Sequence, residues 1–135
     1  MRSAVATRWL GAALAALAVG CVADDGTTQT GTVDAEYTSE AGLVSVHVAA
    51  KDLRVGGGNE LRVTVPATAN AVRLVAASAF MPAHGHGTEA TVVLGADGAY
   101  HAEDIAFFMP GRWELRLAFT DGAREDRIRF YVDVP

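Results

Sequence analysis

From Leu43 to the C-terminus the apolar residues of this chain fall on every second position, and that rhythm constrains its fold more than any other feature. Side chains on a β-strand point alternately to opposite faces, so a period of two marks a strand with one buried face and one wet face. Val44, Val46 and Val48 share one face, with Ser45 and His47 on the other. Leu61, Val63 and Val65 alternate with Glu60, Arg62 and Thr64, and Val72, Leu74 and Ala76 alternate with Arg73 and Val75. Short strands are predicted from Thr91 to Leu94 and from Tyr100 to Phe107. Trp113, Leu115, Leu117 and Phe119 alternate with Glu114, Arg116 and Ala118. Ile128, Phe130, Val132 and Val134 alternate with Arg127, Arg129, Tyr131 and Asp133.

Turn chemistry separates these runs. Gly56-Gly57-Gly58-Asn59 and Asp97-Gly98 read as turns, and Asp121-Gly122 reads as the hairpin between the last two strands. Pro66 and Pro110 sit at strand ends, where a missing N–H costs nothing. The pattern predicts an all-β fold, an immunoglobulin-like antiparallel β-sandwich of about seven strands, with Trp113, Phe107, Phe119 and Phe130 in its core. Half of the residues are apolar, which argues against intrinsic disorder. The formal charge of −5 argues against nucleic acid as a partner.

The N-terminus reads as an address. Arg2 and Arg8 precede the apolar run from Trp9 to Val19, which is shorter than the roughly 20 residues a membrane-spanning helix needs. It matches the apolar region of a secretory signal peptide. The run ends in Ala18-Val19-Gly20-Cys21, which resembles a bacterial lipobox, with Cys21 as the lipidated residue. The expected organisation is a lipoprotein signal peptide over 1–20, a lipid-anchored tether over 21–40 and a β-sandwich domain over 41–135. This predicts a location in the bacterial cell envelope, periplasmic or surface-facing, with the membrane as partner through the lipid. Residues 22–40 are rich in Thr, Asp and Gly and read as tether. Cys21 is the only cysteine, so no intramolecular disulfide forms.

One loop carries candidate chemistry: Phe80-Met81-Pro82-Ala83-His84-Gly85-His86-Gly87. Imidazole is the commonest neutral metal ligand at physiological pH, and an H-x-H pair in an extended stretch puts both rings on one side. Met81 adds a thioether, and Met109 in Phe108-Met109-Pro110-Gly111 offers a second. Thioether with imidazole is a soft donor set that favours copper as Cu(I) over Zn or Ca. The expected metal ligands are Met81, His84, His86 and Met109. The bland alternative makes the histidines polar loop residues and the methionines core filler. His47 reads as a solvent-face residue. His101, followed by Glu103 and Asp104, reads as part of a surface charge group.

MPAHGHG, followed by DIAFFMPGRWELRLAF and the final strand IRFYV, resembles the YtkA-like domain, a family of small exported or lipid-anchored bacterial proteins laid out like FixH-type accessory proteins. The resemblance covers roughly residues 40–135. It implies an immunoglobulin-like sandwich without catalytic activity and suggests copper handling, with Met81, His84, His86 and Met109 at the matching positions.

An enzyme is not expected. No Ser, Thr or Cys nucleophile has a base beside it, and Glu103-Asp104 and Glu125-Asp126 are adjacent pairs that a strand would send to opposite faces. Two functions remain: a copper-binding or copper-delivering lipoprotein, or a metal-free β-sandwich module that docks a protein partner at the cell envelope.

Overall fold

A computed structural model describes residues 29–135, which form ten strands and one short 3-10 turn. The expected signal peptide, Cys21 and the part of the expected tether up to residue 28 lie outside the described residues. The strands are β1 (Gln29–Thr30), β2 (Val33–Thr38), β3 (Ser45–Ala50), β4 (Gly56–Thr64) and β5 (Arg73–Met81). They continue with β6 (His86–Glu89), β7 (Thr91–Leu94), β8 (Tyr100–Phe107), β9 (Gly111–Thr120) and β10 (Glu125–Val134). One sheet has the order β1-β10-β9-β5-β6 and the other β2-β3-β4-β8-β7, so the class is the all-β sandwich the alternation predicts. All pairings are antiparallel except β1 with β10.

The inward rows are the apolar rows of the sequence. Val44, Val46, Val48, Leu61 and Val63 are buried in one sheet, and Leu115, Leu117, Phe119, Ile128, Phe130, Val132 and Val134 in the other. Trp113, Phe107 and Phe119 are fully enclosed where the sheets meet. Each such side chain contributes on the order of 2–3 kcal/mol by leaving water.

Three expectations are corrected. The segment expected as tether up to residue 40 contains two strands, because β1 pairs with β10 and β2 with β3. Val33 is buried, and the Tyr37 ring stacks on Phe130 at 4.3 Å, so this segment belongs to the core. Gly56–Gly58 is not a free turn but the bulged start of β4, with register shifts on either side of Asn59. The buried Asn59 amide accepts from the Arg54 N–H and donates to the carbonyls of Arg54, Gly56 and Ile105, which satisfies the irregular backbone. Ala76 does not continue the inward row of Val72 and Leu74. A bulge between Leu74 and Ala76 shifts the parity of β5, so Ala77, Ala79 and Met81 point inward instead.

Carboxylates tie down the turns. Asp126 accepts the N–H groups of Ala41, Leu43 and Arg127, and so staples the β2–β3 loop to β10. Partial burial opposes its charged form, but hydrogen bonds from the Ser39 side chain and these amides outweigh that and hold its pKa at about 2. Asp121 accepts the N–H groups of Arg124 and Ala123 in the β9–β10 hairpin and is likewise lowered to about 2. Asp97, bonded to the Ala99 N–H, Arg62 and His101, also lies at about 2. Each folded-state value lies below the ordinary aspartate value of 3.8, so this stabilisation is present above about pH 4 and is lost as pH falls toward 2. Thermal melts should therefore show a falling Tm across that window. A Tm that stays level from pH 5 to about pH 2 would contradict the role of these carboxylates.

Candidate metal centre

The β5–β6 hairpin presents three of the four expected ligands. Met81 ends β5, and its carbonyl accepts the N–H groups of His84 and Gly85 to close a tight turn. Gly85 has φ +67°, a conformation that strains other residues. His86 begins β6 directly opposite Met81, and directly paired residues project to the same face. The parity shift in β5 turns that face inward: Met81 is 2 % exposed. The His86 ring is half-buried and the His84 ring, at the tip of the turn, is exposed. The two rings lie 5.7 Å apart and 28° from parallel. Gly87 keeps the hairpin close, since a Cβ there would lie 2.5 Å from the Ala79 carbonyl oxygen.

The turn from Phe108 to Gly111 packs beside this hairpin. The His86 ring meets Phe108 edge-on at 5.8 Å and Trp113 at 6.1 Å. The Met81 methyl lies over Gly111, where a Cβ would come within 3.1 Å of it. The Trp113 indole N–H donates to the Met109 carbonyl at 3.1 Å, which fixes the Met109–Trp113 turn, and the Met109 side chain packs on the core. The structure therefore brings Met81, His84 and His86 together and sets Met109 in the adjoining turn. Two aromatic neighbours, Phe108 and Trp113, were missed as site residues. Trp113 reads from sequence as core alone, and the only signal for Phe108 is its place beside Met109.

His86 Nε2 is buried and has no hydrogen-bond partner among the described residues. A buried polar atom left unpaired is costly, so such an atom calls for a partner. Its imidazole, a second imidazole and a thioether side chain lie on one hairpin, which fits a soft monovalent ion. Among the described residues no three His, Cys, Asp or Glu side chains gather as a hard-metal site.

The other histidines lie elsewhere. His47 Nε2 sits 2.7 Å from Asp34 on the solvent face of β2 and β3, as expected. His101 stands six residues from Phe107 on β8, roughly 20 Å along the strand. Its partners are Glu60 and Asp97 rather than its neighbours Glu103 and Asp104. The hydrogen bonds to Glu60 and then Asp97 raise its pKa. Comparison with protein-family models, with curated proteins and with solved structures finds no match to this chain.

Proposed function

We propose that this chain is an exported, lipid-anchored protein that binds or delivers copper as Cu(I) through Met81, His84, His86 and Met109. The observation that carries the reading is the buried, partnerless Nε2 of His86, which shares its inward face with the Met81 thioether. In this reading Met81 and His86 form the fixed inner half of the site. Phe108 and Trp113 exclude water from it, and exposed His84 is the ligand a recipient reaches first. The resemblance of MPAHGHG and FMPG to the YtkA-like domain supports the same residues.

An anaerobic Cu(I) competition titration against a chromophoric chelator tests this, with the full chain in detergent micelles. One-to-one binding that the His84→Ala/His86→Ala double variant loses is the expected result. Weak binding that is equal in both would leave the hairpin a structural element and favour the metal-free docking module. The anchor has its own check: Cys21→Ala should move the protein from the membrane fraction to the soluble fraction, and unchanged partitioning would sink the lipid-anchor reading.

A further inference from the structure

One end of the sandwich gathers the turns at 31–32, 51–55, 82–85 and 108–110. Gly56 pairs with Phe107, the Leu53 N–H donates to the Gly31 carbonyl, and the Phe108 ring meets His86 edge-on. The turns at 39–44, 65–72, 95–99 and 121–124 lie at the opposite end. The two ends show water different chemistry. Phe108 is 57 % exposed and Val55 40 % exposed, and the two flank the Gly56–Phe107 pair. Pro82, Ala83 and Pro110 are exposed on turns of the same end. The other exposed large hydrophobic residues, Val75, Val93, Leu94 and Tyr131, all lie on strands. Apolar groups left in water add nothing to folding stability, and their clustering at one spot marks an interaction surface.

Charge follows the same division. The turns at 31–32, 82–85 and 108–110 hold no Asp, Glu, Lys or Arg. The 51–55 turn carries Lys51 and Arg54 against Asp52, and among the described residues neither cation is in an ion pair. Long basic side chains beside apolar groups suit an anionic lipid surface. The turns of the opposite end carry Glu40, Asp97 and Asp121 against Arg124. The chain also enters the fold at the apolar end. Gln29 on β1 stands beside Val132, which is paired with Trp113. Cys21 precedes Gln29 by eight residues, no more than about 29 Å of extended chain.

We infer that this end of the sandwich docks on the lipid bilayer that holds the anchor, with Phe108 and Val55 entering the interfacial layer and Lys51 and Arg54 meeting anionic headgroups. The inference rests on the lipid-anchor reading and needs no metal. Two apolar side chains bind a membrane only weakly by themselves, but an anchor on the same chain makes the contact intramolecular and raises their effective concentration at the surface. The β5–β6 hairpin shares this end, so docking brings it to the bilayer surface.

Power-saturation electron paramagnetic resonance tests the docking, on the full lipid-modified chain in vesicles of phosphatidylcholine and phosphatidylglycerol. A nitroxide is attached through Ala83→Cys at the apolar end and, in a second sample, through Thr68→Cys at the opposite end, both exposed positions. The label at 83 is expected to lose most of its collisions with a water-soluble nickel chelate and to gain collisions with oxygen, which concentrates in lipid. The label at 68 should keep aqueous values. Val55→Ser/Phe108→Ser should return the label at 83 to aqueous values, while the protein still floats with the vesicles and keeps its circular dichroism spectrum. Aqueous values for both labels on protein that floats would overturn the docking face and leave the lipid anchor standing. A label at 83 that stays shielded in the serine double variant would overturn it as well. Protein that does not float would overturn the anchor reading and the docking face with it.

Discussion

Trp113→Ala is expected to destabilise the protein by about 3–5 kcal/mol, as truncation of a large buried aromatic does. The indole is fully enclosed and packs edge-on against Phe107 at 5.2 Å, with Phe108 and His86 on its outer side. Removal leaves a cavity between the sheets and strips the Met109 carbonyl of its N–H donor. The total stability of a domain this size is about 5–15 kcal/mol, so a large share is at stake. Trp113→Phe keeps most of the volume and loses the hydrogen bond, so a loss of about 1–2 kcal/mol is expected. Denaturant unfolding followed by circular dichroism reads both. A loss below about 1 kcal/mol for the alanine variant would show that the indole is not the keystone of this end of the sandwich.

The second large effect concerns the site. His86→Ala should weaken Cu(I) binding by about 100-fold and His84→Ala by only about tenfold, as competition titrations would show. The two imidazoles belong to the same short motif but differ in what holds them. His86 opens a strand, pairs with Met81 and is wedged against Phe108 and Trp113, so its ring is ordered before an ion arrives. The His84 backbone is fixed by its N–H bond to the Met81 carbonyl, but its ring lies exposed at the turn tip against His86 alone among the aromatic rings, so the ring must be ordered on binding. Equal losses in the two variants would contradict this division of roles.

Most of the strand pattern was legible because burial on one face leaves a period-two trace that no helix would give. Trp113 through Phe119 and Ile128 through Val134 point where their alternation says. The failures have local physical causes. At Leu74–Ala76 a bulge flips the parity, and Val75 and Ala76 carry no polar marker to announce it. At Gly56–Gly58 turn-forming residues supply the positive φ of a bulged strand, at +112° for Gly56 and +76° for Gly58, instead of ending it. In β2 the inward Val33 and Tyr37 are separated by Asp34 and Glu36, so a true strand looks like a polar linker. The two rings of the H-x-H pair do lie near each other, but not through an extended stretch, because His84 stands in the β5–β6 turn and only His86 is in a strand. The sequence could not show that Met81 and His86 are register partners, since that depends on the length of the β5–β6 turn. Nor could it show Phe108 against His86, a contact between elements more than twenty residues apart in the chain.

Copper K-edge X-ray absorption on the Cu(I)-loaded full chain tests most directly whether the hairpin and the neighbouring turn hold one ion together. Sulfur and imidazole nitrogen are expected in the same inner shell, with the sulfur signal reduced in Met81→Leu and the nitrogen signal reduced in His86→Ala. An inner shell of nitrogen and oxygen alone, unchanged by Met81→Leu, would contradict it.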